Sequence, residues 1–516
     1  MSDFNNLKKS SSFPYFIEVS LCCLFLIIIF FQREFLIYRD FSILWHGSLL
    51  ISDGYSPFKD FIMPISPVSI YICSFFLILF NETWFVFQIT QMIFSIGLLI
   101  IVCTFLNEHE KKKIVVQISL GIFTLFYLLL LTHPWYNNFG AFFLLLACFL
   151  AFQNSKLLIF FCGVISTLAL FTKLDFGIFT FCSSIVIIFY NSLRSSDYKF
   201  SSSILIFLLG FFISSFFIIS QFQDDNLAYI IQAYKEISSS RSNRFIKFFE
   251  LKNILLSILG LLCIFFLASY QKHFLAYGLI ILSACATSIF GGMEHTHYYY
   301  IFTIPPILFF FWYEPKFKWT LFFLVPISIF LLTPAIRLSI HTLENVYFNH
   351  YDSEFFNHRN IAPDANIINL NNCSKKMVNV YGPKDYCQIK DIIKKQFINK
   401  DLEENFILNI TELNFIGAEL GIFPLKNHPL WYKTSQTVTK KFQQALDREI
   451  INGQFEMILI QRVRKGYSSQ KIRVKMIEDL QKNQKYSEIN KIFESPMCLM
   501  LNNNLDDCGI HIFIRK

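Results

Sequence analysis

Arg39 and Asp40 follow the first long apolar stretch of the chain, in a Tyr38-Arg39-Asp40 run that leads into a half-apolar segment, 40–52. A carboxylate there has two possible jobs. Within hydrogen-bond reach of a hydroxyl, it accepts a proton and makes a poor nucleophile a good one. At a helix start, it caps free N–H groups and meets the positive end of the helix dipole. Spacing alone leaves both readings open. The run Gly54-Tyr55-Ser56-Pro57-Phe58-Lys59-Asp60 comes next. Asp53-Gly54 and Ser56-Pro57 are turn signals, so Asp53 reads as structural. Lys59 and Asp60 read as an interface anchor and a cap, and neither alone is specific.

Other chemistry-bearing residues lie further on. Lys173-Leu174-Asp175 sits at an expected helix end. It reads as interfacial snorkelling with a local ion pair. Glu294-His295-Thr296-His297 lacks the spacing of a zinc helix motif, so no metal is expected there. His297 and Tyr298 read as polar contacts or as part of an aromatic belt with Tyr299 and Tyr300. Loop 222–252 carries Asp224, Asp225, Arg241, Arg244 and Lys247. It reads as a mobile lid or as a solvated loop on lipid headgroups.

The elements that must position these residues follow from composition. Of 516 residues, 54% are hydrophobic and 16% charged, against about 25% charged in a soluble domain. The mean hydropathy is +0.46. A plain cytosolic enzyme and a disordered chain are excluded. The net charge of +8 is not gathered into a stripe, which excludes a nucleic-acid binder. Charge also sets a boundary. In 337–516, 45 of 180 residues are charged; in 1–336, only 37 of 336. The first part reads as a polytopic membrane domain and the second as a water-soluble one.

Apolar stretches of roughly spanning length recur at 15–33, 64–80, 84–106, 114–132, 139–153, 156–172, 176–190, 200–221, 253–270, 273–290, 298–313 and 318–336. No small-residue cleavage site follows 15–33, so it reads as a retained first helix. Basic clusters set the orientation. Lys8 and Lys9 place the N-terminus inside, and Lys111, Lys112 and Lys113 fall on the same side. Twelve crossings would put the latter outside. The conflict vanishes if 64–80, opened by Pro64 and Pro67, lies in the interface instead of crossing. About eleven spanning helices remain. Loops 34–83, 133–138, 173–175, 222–252 and 291–297 then lie outside, as does 337–516. Helix 40–52 is expected to lie flat on the membrane with its polar face upward.

The C-terminal part reads as a small α/β domain. Its strands are expected at 365–370, 376–381, 456–463, 497–501 and 510–514, and its helices at 385–398, 437–450 and 470–482. It contains no Gly-rich phosphate loop and no nucleophile elbow. Cys373, Cys387, Cys498 and Cys508 read as two near-neighbour disulfides or as four free thiols. Sequons stand at Asn81, Asn372 and Asn409.

The order of these features resembles the GT-C superfamily of membrane glycosyltransferases. It is most similar to the group with protein O-mannosyltransferases and the lipid A aminoarabinose transferase. The likeness rests on a first spanning helix, Tyr38-Arg39-Asp40, a helix, the 54–60 run, Pro64 and Pro67, then His297-Tyr298 before Pro305 and Pro306. The resemblance implies transfer of a sugar from a polyprenyl-phosphate carrier on the outer face, with inversion. It implies Asp40 as the catalytic carboxylate. It implies Arg39, Lys59, Asp60, Lys173, Arg241, Arg244, His297 and Tyr298 as contacts to donor phosphate or sugar. No cofactor or metal is expected, since fixed cations can stabilise the leaving phosphate. The implied partners are the carrier, the bilayer and a glycan, lipid or protein acceptor. The absence of an obvious retention signal and the small size relative to eukaryotic mannosyltransferases point to a bacterial inner membrane. The sequence departs from the family pattern in two respects. Phe41 follows Asp40, and the next outer loop, HPWYNN at 133–138, holds no carboxylate. The competing readings are a transporter or flippase for a lipid-linked intermediate, and a non-catalytic scaffold. Charges lie near helix ends and the middles are nearly charge-free, which favours surface chemistry over translocation.

Overall fold

The computed structural model describes residues 15–32, 35–36, 40–57, 59–62, 67–109, 116–117, 120–121, 124, 134, 136–153, 155–194, 200–221, 367–378, 380–397, 407–411, 413–422, 425, 428–430, 432, 440–462, 468–492 and 509–516. The described residues are mostly helical, with two small sheets.

The membrane-like part begins with α1 (Phe16–Gln32), the two-residue strand β1 (Phe35–Leu36) and α2 (Asp40–Ser52). There follow α3 (Pro67–Phe80), α4 (Trp84–His109), α5 (Tyr136–Phe152), α6 (Lys156–Thr172), α7 (Leu174–Arg194) and α8 (Phe200–Ile219). Three of these are long and apolar enough to cross a membrane, over Trp84–Thr104, Phe176–Leu193 and Phe200–Ile219. The stretches expected at 253–270, 273–290, 298–313 and 318–336 lie outside the described residues, and so does most of 114–132.

Helix α3 has 14 residues, about 21 Å at 1.5 Å per residue. That is short of the roughly 30 Å hydrocarbon layer. One face, with Val68, Ile70, Cys73 and Leu77, is buried. The other leaves Tyr71, Phe75, Ile78, Leu79 and Phe80 exposed. The helix therefore leaves one apolar face open to its surroundings.

The C-terminal part contains β2 (Ile367–Asn369), β3 (Val380–Pro383), α9 (Lys384–Phe397), β4 (Ile407–Ile410), α10 (Ile416–Glu419), α11 (Lys440–Asn452), β5 (Met457–Gln461), α12 (Ser468–Lys482), β6 (Tyr486–Ile492) and β7 (Ile510–Arg515). One sheet runs β1-β3-β2, the other β4-β5-β7-β6. β4 and β5 are parallel; β7 is antiparallel to both β5 and β6. Strand β5 is buried on both faces, and its alternation explains how. Ile458 and Ile460 face Leu446 and Ile450 of α11 and Ile477 and Leu480 of α12. Met457 and Leu459 join a second core with Ile389 of α9 and Ile416 of α10. β6 was not expected. Its polar sequence is that of an edge strand, which needs no apolar alternation. The strand expected at 497–501 lies outside the described residues. Cys373 and Cys387 form a disulfide with Cα atoms 5.6 Å apart. Cys498 and Cys508 lie outside the described residues.

Within the membrane-like part, α6 and α8 approach closely because each offers a glycine to the other. A Cβ on Gly163 would lie 2.1 Å from the Phe207 carbonyl oxygen, and one on Gly210 2.2 Å from that of Phe160. Small residues allow this contact where apolar burial gives helices no preference for one another over lipid. We expect Gly163→Ala to push the helices apart and cost about 1–3 kcal/mol. Thermal unfolding of the detergent-solubilised protein would check this, and an unchanged midpoint would count against the contact.

Candidate functional site

Helix α2 lies where the two parts of the chain meet. Asp40 is its first residue. From Ile43 to Leu50 every residue is buried, so the helix is covered all round. This corrects the expectation of a polar face open to water: the C-terminal domain lies over it. Trp45 is wholly buried, edge-on to Trp84 and Phe87 of α4 at 5.3 and 5.4 Å between ring centres. Gly47 of α2 lets Ile70 of α3 approach: a Cβ there would lie 3.1 Å from the Ile70 side chain. Across the junction, Leu370, Met377, Ile389 and Phe415 belong to the same core as Trp45.

Backbone hydrogen bonds fix the docking. β1 pairs in parallel with β3, matching Phe35 with Val380 and Leu36 with Tyr381. Ile62 donates to the His428 carbonyl at 3.0 Å and accepts from Leu430 at 3.1 Å. Trp84, at the start of α4, donates to the Lys376 carbonyl at 2.8 Å. Lys376 Nζ meets Glu82 at 2.6 Å. Phe139 near the start of α5 and Ala169 near the end of α6 share the core with Trp84 and Trp45. These helix ends therefore lie together on the side that carries the C-terminal domain.

The expected site residues fall in several places. Asp60 accepts a hydrogen bond from the Ser56 N–H at 2.7 Å and closes the turn that begins there. Lys59 is exposed. Lys173 extends over the rings of Tyr136 and Phe176, 5.5 and 5.6 Å from their centres. That holds its ammonium where the start of α5 meets the junction of α6 and α7. Asp53 ends α2, about 20 Å along the helix from Asp40. Burial raises its carboxyl above the ordinary range; nearby Glu82 adds to this and Lys376 opposes it. Arg39, Arg241, Arg244, His297 and Tyr298 lie outside the described residues.

The junction also contains groups that the sequence did not single out. Lys390 of α9 and Glu419 of α10 form a buried ion pair at 2.9 Å. Burial pushes both towards neutrality, Lys390 down and Glu419 up. His46 is buried, and loss of solvent pushes it down to about 3. His428 is pushed down to about 4 for the same reason. Its ring meets the Tyr432 hydroxyl at 2.8 Å and Glu449 at 3.1 Å. His46 and His428 line one cavity of about 60 Å³, together with Asn409 and Asn414. No spacing rule could have found this group. Its members are brought together from positions 46 and 409–432 by the docking itself. Among the described residues no cluster of His, Cys, Asp and Glu is arranged to hold a metal ion. No protein-family model and no curated protein matches the chain.

Two outcomes follow from the buried groups. Unfolded, an imidazole takes up its proton near pH 6.5; folded, His46 and His428 resist until about 3 and 4. Between those values the folded state binds fewer protons, so stability is full above pH 6.5 and falls as the pH drops towards 4. Thermal midpoints measured from pH 8 to 4.5 should decline, with a shallower slope in His46→Leu. Separately, Lys390→Met leaves Glu419 buried without its partner and should cost about 3–5 kcal/mol. The double change Lys390→Met with Glu419→Leu should recover most of that in chemical denaturation.

Proposed function

We propose that the protein is a glycosyltransferase that moves a sugar from a polyprenyl-phosphate carrier to a glycan, lipid or protein acceptor at the outer membrane surface. The observation that carries this reading is the position of α2. Helix α2, which starts at Asp40, is packed between the end of an apolar bundle and the C-terminal domain. In this reading that domain lies outside the membrane, and the start of α2 is where a lipid-borne phosphate-sugar and a water-borne acceptor meet. Asp40 then accepts the proton of the attacking hydroxyl. The leaving phosphate gains charge, and Lys173, at the junction of α6 and α7, offsets it. Arg39, Lys59, Arg241, Arg244 and His297 are the further candidates for phosphate or sugar contact. The charge-free middles of the described long helices support surface chemistry over passage of a polar cargo.

The Cys373–Cys387 disulfide supports an oxidising compartment for the C-terminal domain. The bacterial periplasm is such a compartment and agrees with the basic clusters assigned to the inner side. About eleven spanning helices complete this reading.

The test uses purified protein in lipid nanodiscs with a panel of polyprenyl-phosphate sugars and an envelope extract as acceptor. Release of free polyprenyl phosphate should fall about 10²–10⁴-fold in Asp40→Asn, the usual range for loss of a general base. Equal release by wild type and variant would remove Asp40 from the mechanism. No release from any donor would sink the glycosyltransferase reading.

A further inference from the structure

The cavity between α2 and the C-terminal domain has polar groups with nothing to bind. Nδ1 of His46 is buried without a hydrogen-bond partner, and so are both amide atoms of Asn414. The two residues are 8% and 4% exposed, and both line the cavity. A buried polar atom left unpaired costs about 1–3 kcal/mol. Three such atoms at one cavity are the sign of a ligand's place. The neighbouring amide, Asn409, is fully used: it donates to the Leu413 carbonyl and accepts from Thr411. The contrast marks Asn414 as the free group.

The lining also says what the ligand is not. Among the described residues of the lining there is no lysine, arginine or carboxylate. Burial keeps His46 and His428 uncharged near neutral pH. A phosphate or an ammonium would lose its hydration there with no opposite charge to replace it. The rest of the wall is aliphatic, with Ile393, Ile407, Ile422, Leu425 and Leu459. The cavity of about 60 Å³ is partly open, so an edge of a larger molecule can enter while the rest stays outside.

We infer that this cavity receives the uncharged hydroxyl edge of a sugar unit, with Asn414 bridging two neighbouring hydroxyls and His46 binding a third polar atom. An amide offers a donor and an acceptor side by side, which is the complement of two adjacent hydroxyls. The C–H groups of the ring meet the aliphatic wall. The sugar's place in a reaction rests on the glycosyl-transfer reading above, but its binding does not. No cation stands among the described lining residues, so in this reading the carrier phosphate binds elsewhere. The sugar therefore comes either from the acceptor or from the far edge of the donor sugar.

The test is saturation-transfer NMR on the full chain in nanodiscs. The probes are methyl glycosides of mannose, glucose and galactose, a matched 2-deoxy glycoside, methyl phosphate and an N-acetyl dipeptide amide. We expect saturation of at least one neutral glycoside and none of methyl phosphate. Asn414→Leu should weaken that binding roughly tenfold or more. It should leave the thermal midpoint of the ligand-free protein unchanged or raised, because an unpaired amide is removed. Gly417→Val gives a second route: Gly417 lines the cavity, and a Cβ there meets only Ile422, at 3.9 Å. It should block the glycoside without unfolding the protein. A glycoside that binds wild type and Asp40→Asn equally, and competes with acceptor extract, assigns the edge to the acceptor; competition by polyprenyl-phosphate sugar assigns it to the donor. Either result supports the site. No glycoside binding, binding untouched by both variants, or equal binding of the dipeptide amide would overturn it. If carrier release fails in the earlier assay while glycosides still bind through Asn414, the catalytic reading falls and the sugar site stands.

Discussion

The burial of α2 between the apolar bundle and the C-terminal domain is the constraint on which the other features depend. Trp45 is central to it, edge-on to Trp84 and Phe87. A buried tryptophan removes about 150–250 Å² from water, on the order of 4–6 kcal/mol at 25 cal/mol per Å². The backbone bonds β1–β3 and Ile62 with His428 and Leu430 then set the register of the docking. Hydrophobic burial supplies the attraction and is indifferent to direction; the hydrogen bonds choose the orientation.

That docking gives the junction its chemistry. A helix buried all round brings its polar residues inside with it. His46 enters a space with no solvent, and Lys390 and Glu419 meet where neither is well hydrated. Such groups weaken the fold unless something pairs with them. The pair Lys390–Glu419 satisfies itself in part. His46 and Asn414 have no partner atom in the protein for Nδ1 and the amide. The first group reads as part of the architecture, the second as a place for something the chain itself does not supply.

Some of this was legible in the sequence for clear reasons. The helices at 84–109, 156–172, 174–194 and 200–219 were marked by apolar length alone. The short helix at 67–80 was marked by its apolar run and the prolines that open it. The strands β5 and β7 were marked by β-branched alternation. The near pair Cys373 and Cys387 was marked by spacing. Asp60 was singled out as a carboxylate, and its bond to Ser56 N–H is that of a turn residue. The edge strand β6 and the two-residue β1 carried no periodic signal. A strand is defined by its partner as much as by itself, and β1's partner lies some 345 residues away.

The sequence by itself determined the division into an apolar part and a charged part, and the positions of most helices. These follow from local quantities: apolar length, turn residues and the density of charge. Only the tertiary structure decided that α2 is covered and not open to water, and that Asp53 gathers with Glu82 and Lys376. It alone brought His46 together with Asn414 and His428. The reason is the same in each case. Burial and polar contact are properties of pairs distant in sequence, and a single chain read in order records only neighbours.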